Sequence, residues 1–190
     1  MRQISVVVDN ESWILPYATR LVDEINKNGV DVANLVRSYD SIASGDVAFF
    51  LGCLSLANKV IRERNKVSLV AHASDLPAGR GMSPWTWAVL EGADAIPVCL
   101  LFAEDKVDSG DIVYKRWYPL EGTELVDDLR SIVGTATVEL SLEYLAAAIQ
   151  PEGQPQQGEP SYYSRRTVDD SQLDVGKTLA EQFNLLRVVD

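Results

Sequence analysis

Leu69-Val70-Ala71-His72-Ala73-Ser74-Asp75-Leu76-Pro77-Ala78-Gly79-Arg80-Gly81-Met82-Ser83-Pro84 is the stretch on which the reading of this chain turns. An apolar run from Val67 to Ala71 predicts a buried strand that delivers His72, the only histidine, to its end. A proline, two glycines and Ser83-Pro84 then predict a loop before the next helix, with Ser83 as N-cap and Pro84 in the first turn. A histidine at a strand end facing a loop is a candidate proton carrier. A lone histidine is also often a satisfied structural residue. Side chains two apart on a strand share a face, so Val70, His72 and Ser74 are expected to point the same way.

Upstream, Ile4 to Val8, Val30 to Val36 and Val47 to Leu51 read as further buried strands. Between the first two, Ile14, Tyr17, Ala18, Leu21, Val22 and Ile25 recur at helical spacing, and Asn28-Gly29 ends that helix. Leu54 to Ile61 is expected to be helical. Downstream come a short helix, Trp85 to Glu91, a strand from Ile96 to Phe102 with Pro97 near its start, and a less buried strand from Asp111 to Trp117. A long helix follows, capped by Thr123 and running to about Gln150, with Leu125, Leu129, Ile132, Val133 and Ala136 on its apolar face. Trp85 and Trp87 fall on different faces of the short helix, so one belongs to the core. The strand and helix alternation predicts an α/β fold, a mostly parallel twisted sheet with helices on both faces. Ligands bind such sheets outside the carboxyl ends of the strands, where Gly52 and His72 are both predicted to lie.

The domain is expected to cover residues 1–150. Residues 151–166 read as a linker, because Pro151 to Pro160 holds three prolines, three glutamines and two glycines. Residues 167–190 read as the start of an extension, with a helix near Thr178 whose Thr178 and Glu181 form a capping box and whose stripe is Leu179, Phe183, Leu186 and Val189. Asp190 carries no stop signal, so the fold is expected to continue. The Arg165-Arg166 pair reads as solvated.

Composition narrows the function. Lys and Arg number 17 against 28 Asp and Glu, a net charge of −11, which argues against gripping nucleic acid phosphates. With 46% apolar residues the chain can bury a core. No segment approaches transmembrane length, so no membrane partner is expected. Cys53 and Cys99 sit in apolar runs without ligand spacing, reading as free thiols in a reducing, cytoplasmic setting, and one histidine without paired ligands predicts no metal. The acid partner of His72 must come from elsewhere in the chain. Asp108, in Asp108-Ser109-Gly110-Asp111, is the candidate, with a plain turn residue as the alternative.

The segment His72 to Pro84, with Trp87-Ala88, Glu91-Gly92, Ile96 to Leu100 and Val107 to Ile112, resembles the folate-dependent formyltransferases. That family includes methionyl-tRNA formyltransferase, glycinamide ribonucleotide transformylase and the sugar N-formyltransferases. The resemblance covers roughly Gly45 to Tyr118, and Arg165 to Asp174 looks like the post-linker segment of the sugar enzymes. It implies a Rossmann-like formyltransferase fold and attack of a substrate amine on the formyl carbon of 10-formyltetrahydrofolate through a tetrahedral intermediate. His72 matches the family histidine that steadies the oxyanion and handles the proton, and Asp108 the aspartate that tunes it. Leu51 to Leu56 matches the loop that cradles the pterin through main-chain groups, which assigns Gly52, Cys53, Leu54 and Leu56 to the donor, and the facing residues 103–108 add Asp105. Where the family carries asparagine two before the histidine, this chain carries Val70, which donates no hydrogen bond. Asn58, Asn65, Ser55 or a backbone N–H are the candidate stand-ins.

The expected partner is a small amine, an amino sugar or nucleotide-linked amino sugar, with a homodimer as the assembly held open. Two other readings stay beside it: a formyltetrahydrofolate hydrolase, and a non-catalytic folate-binding member motivated by Val70.

Overall fold

The computed structural model describes residues 1–189, and Asp190 lies outside the described residues. The chain runs β1 (Gln3–Val7), α1 (Leu15–Lys27), β2 (Val32–Val36), β3 (Gly45–Leu51), α2 (Lys59–Arg62), β4 (Asn65–His72), β5 (Arg80–Gly81), α3 (Pro84–Leu90), β6 (Ala95–Phe102), β7 (Ile112–Pro119), α4 (Val126–Ala146), β8 (Tyr162–Tyr163) and α5 (Phe183–Val188). Six strands form one sheet in the order β2-β1-β3-β4-β6-β7, and β5 pairs with β8 apart from it. The pairs from β2 to β4 are parallel, whereas β6 lies antiparallel to both β4 and β7. The expected α/β sheet of mostly parallel strands is therefore present, with one reversed strand inside it.

Continuous apolar strands arise because both faces are covered. Phe49 faces the larger core with Ile4, Val6, Leu69 and Leu100, while its neighbour Phe50 faces a second cluster with Val7, Val36 and Ile61. Helices α1 and α4 supply the cover on the first face, where Phe49 meets Tyr144 edge-on at 6.3 Å. Pro97 is tolerated because β4 pairs with β6 only from Leu69–Phe102 to His72–Cys99, which leaves Pro97 beyond the end of β4. Chain order reverses between β1 and β3, since β1 leads to β2 on one side and β3 lies on the other. A crevice opens at such a switch point.

Five local expectations are corrected. Leu54 to Ile61 is not one helix: Asn58 starts α2 by accepting from the Ile61 N–H at 3.0 Å, and the residues before it are held in a loop. Helix α4 starts after Leu125, not Thr123, with the Asp128 carboxylate accepting the Leu125 N–H at 3.1 Å, and it stops at Ala146; Leu125 is exposed. Ser83 adopts φ 52°, a left-handed conformation, and its side chain does not cap α3. Thr178 and Glu181 do bond reciprocally, but they open a 3-10 turn, and the helix itself begins at Phe183. Its buried residues are Arg187 and Val188 rather than the expected stripe, because Arg187 turns inward to Glu124 at 2.8 Å.

Residues 151–166 are mostly exposed but are tied to the domain at several points. Gln154 exchanges two 2.8 Å backbone hydrogen bonds with Ile112, and Tyr162–Tyr163 pairs with Arg80–Gly81. The segment is thus a strap laid along the loops at the sheet end. Proline and glycine content excluded a helix there but said nothing about docking.

Candidate active site

His72 ends β4 at 7% exposure, and the turn that follows brings the backbone back beneath its ring. Its Nε2 lies 2.9 Å from the Gly79 carbonyl oxygen. A carbonyl only accepts, so Nε2 carries a proton, and Nδ1 is turned toward Asp108. Asp108 Oδ2 stands 3.4 Å from Nδ1, beyond an ordinary hydrogen bond but within ion-pair range for a protonated ring. The same oxygen accepts the Gly81 N–H at 2.9 Å. Asp108 sits at φ 48°, a conformation that aspartate tolerates better than most side chains. The structure therefore unites the two side chains that the sequence proposed from separate loops.

Glycines make that approach possible. At Gly110 a Cβ would stand 1.9 Å from the Phe102 carbonyl oxygen, and at Gly81, with φ 101°, it would stand 2.5 Å from the Tyr163 carbonyl oxygen. Gly110→Ala must push the Asp108 loop off β6. It is expected to cost about 1–3 kcal/mol, as overpacking does, read as a lower urea midpoint.

The pair opens on a cavity of about 750 Å³ lined by Gly52, Leu54, Val70, His72, Val107 and Asp108 among others. Cys53 and Leu56 also line it. Asp105 does not: it points to solvent and pairs with Arg62, while Glu104, Lys106 and Val107 form that wall. Of the side chains considered as stand-ins beside Val70, Asn58 caps α2 and Asn65 starts β4, both outside the lining; Ser55 is within it. Val70 itself packs toward Leu76, Cys99 and Leu101. Burial pushes the Cys53 and Cys99 thiols up to about 11, so neither is an activated nucleophile.

Asp9 escaped the sequence reading. It sits just past β1, and its carboxylate accepts the Leu54 N–H at 2.8 Å and the Ser55 N–H at 3.0 Å, which shapes the loop at the end of β3. Burial would push this carboxyl up, but bonds from Asn10 and from Leu54 and Ser55 outweigh it and hold the group below its ordinary 3.8. A carboxyl depressed on folding stabilises the fold fully above its unfolded value and loses that contribution as pH falls through the folded one. The urea-midpoint difference between wild type and Asp9→Ala is therefore expected to be largest near neutral pH and to fade below 3.8.

The remaining wall is shared by the start of α3, by α4 at Val126, Val133 and Thr137, and by the chain from Arg165 onward. Trp85 is core, edge-on to Trp13 at 5.9 Å. Trp87 stacks on Tyr163 at 6.0 Å and donates its Nε1–H to the Ser164 carbonyl at 2.9 Å. The solvated reading of the arginine pair holds for Arg165 alone, because Arg166 lies 5.8 Å over the Trp87 ring and donates to the Asp170 carbonyl at 2.8 Å.

The sheet has a switch-point crevice with a buried histidine–aspartate pair beside it, the layout of an α/β ligand-binding domain. The sequence model described as formyl transferase matches residues 17–143, and the chain belongs to that family. Methionyl-tRNA formyltransferase of Pelotomaculum thermopropionicum is 29% identical over 119 residues, 61% of this chain and 38% of that protein. The chain thus spans well under half the length of the curated relatives it matches. Among solved structures, methionyl-tRNA formyltransferase from Clostridium thermocellum superposes with a TM-score of 0.80 at 22% identity, over 100% of this chain and 84% of that one. The formyltransferase PseJ from Anoxybacillus kamchatkensis, in complex with UDP-4,6-dideoxy-4-formamido-L-AltNAc and tetrahydrofolate, superposes with a TM-score of 0.63 at 18% identity, over 86% and 85%. Among the described residues, no helix is long and apolar enough to cross a membrane.

Proposed function

We propose that the chain transfers a formyl group from 10-formyltetrahydrofolate to the amine of a small substrate, an amino sugar or a nucleotide-linked amino sugar. The observation that carries the reading is the meeting of His72 with Asp108 at the cavity mouth. The donor supplies an activated formyl carbon. The cavity suits it, because apolar side chains at Val70 and Leu101 share the lining with the loop residues Gly52 to Ser55 and with Glu104, Lys106, Val107 and Asp108, the mixture of apolar and polar groups that a flat ring with polar edges requires. We assign the donor to Gly52, Cys53, Leu54 and Leu56, with Glu104, Lys106 and Val107 replacing Asp105 on the opposite wall.

In this reading His72 takes the proton of the attacking amine. With Nε2 committed to Gly79, Nδ1 is the ring atom left to receive it, and Asp108 then faces the cation so formed. Attack of the amine would form the carbon–nitrogen bond to the acceptor and place charge on the formyl oxygen, and collapse of that charge would break the bond to the folate nitrogen, which takes the proton.

The acidic balance of −11 supports a small acceptor over transfer RNA, and two free cysteines support a cytoplasmic setting. Residues 1–150 form the catalytic domain in this scheme, and 151–166 its outer wall. Val70 favours a second reading, a folate-binding protein without transfer. To separate them, the protein is mixed with 10-formyltetrahydrofolate and a panel of amino sugars, and tetrahydrofolate release is followed. Release only with an amine supports transfer; release without one indicates hydrolysis. No release, with folate still bound, leaves the binding role.

A further inference from the structure

The geometry points to Gln156, in the strap, as the residue that positions Asp108 against His72. Its Nε2 donates to two carbonyl oxygens of the Asp108 loop, those of Asp108 and Gly110, each at 2.8 Å. Its Oε1 accepts from Arg80, at 2.6 Å from Nη2 and 3.2 Å from Nε. Arg80 lies between Gly79, whose carbonyl receives His72 Nε2, and Gly81, whose N–H holds Asp108 Oδ2. One amide thus ties together the two loops that carry the pair. Its donor and acceptor ends are not interchangeable, because one loop offers only carbonyl oxygens and the other only guanidinium N–H groups.

Gln156 does not touch the cavity, so it acts through Asp108. The strap around it has independent anchors. Gly79 N–H donates to Ser161 Oγ at 2.9 Å, Met82 N–H to the Tyr163 carbonyl at 3.1 Å, and Gln154 is bonded to Ile112. Loss of Gln156 therefore releases the Asp108 loop without detaching the segment. In a chain where residues 151–160 are mostly exposed, Gln156 is half-buried, which sets it apart from its exposed neighbours Pro155 and Gln157.

The inference rests on reading His72 and Asp108 as the proton-handling pair, but its test does not. His72 is the only histidine, so a nitrogen-15 imidazole correlation spectrum of the substrate-free protein contains one ring. Wild type is expected to show one set of ring signals with a proton on Nε2. In Gln156→Glu, which retains an acceptor for Arg80 but turns an oxygen toward both carbonyls, the Asp108 loop moves away and the His72 signals shift and change their titration. Gln156→Leu, which loses both ends, is expected to behave likewise. Turnover in either variant falls about a hundredfold, the size of effect produced by a misplacement of about 1 Å. An unchanged His72 spectrum and pH profile in folded Gln156→Glu overturns the assignment. A shifted spectrum in a protein that transfers no formyl group sustains the positioning role and removes the transfer reading instead.

Discussion

His72→Ala is expected to slow formyl transfer by about 10²- to 10⁴-fold, the range typical for loss of a positioned general acid or base. The expectation rests on the absence of a substitute. The chain has no second histidine, burial pushes the two thiols up to about 11, and the Asp108 carboxylate beside Nδ1 is already engaged by the Gly81 N–H. Release of tetrahydrofolate under saturating amine measures the effect, and binding of tetrahydrofolate measured in parallel should change little, because the ring is not part of the loop from Gly52 to Leu56. A rate equal to wild type sinks the catalytic reading of His72 and leaves only the binding role.

Val70→Asn is expected to act in the opposite direction and to raise the transfer rate by about a hundredfold, the lower end of what one oxyanion donor contributes. Val70 precedes His72 by two positions on β4 and lines the same cavity. Val70 packs toward Leu76, Leu101 and Cys99, whose thiol donates to the Ser74 carbonyl, and Asn58 and Asn65 are committed elsewhere. An asparagine there would offer its amide to the developing oxyanion. Until substrate binds, that amide lacks a partner, so the variant should lose about 1–3 kcal/mol of stability. A rate that stays level or falls would show that a main-chain N–H or Ser55 already supplies the donor. The paired readout of higher turnover and lower stability separates a completed site from a merely tolerated substitution.

Much of this arrangement was legible in the chain. The unbroken run Val47 to Leu51 required cover on two faces, and Phe49 and Phe50 indeed enter different clusters. His72 and Asp108 could be paired because a recurring sequence pattern joins them, though spacing alone left Asp108 as a plain turn residue. Elsewhere local signals misled. Ser83-Pro84 looked like a capped helix start, but the close pass of Met82 under Tyr163 takes Ser83 into a left-handed conformation that a cap does not use. Leu54 to Ile61 had helical spacing, yet Asp9 captures two of its N–H groups from a strand 45 and 46 positions away. Asp105 had the right charge and the right loop, but Arg62 draws it out of the cavity wall.

The sequence by itself determined most of the strands and helices and the two-sided core, because these follow from hydrophobic period, while the pair at the site was proposed from the resemblance to a known family and not from period or spacing. Only the tertiary structure decided which groups hold that pair in place. Asp9, Gly110 and Gln156 act through hydrogen bonds and close contacts between segments distant in the chain, and Gln156 reaches across 48 and 46 positions to the Asp108 loop. Such contacts leave no periodic trace in the residues that make them. They exist only once the sheet has brought its strand ends together.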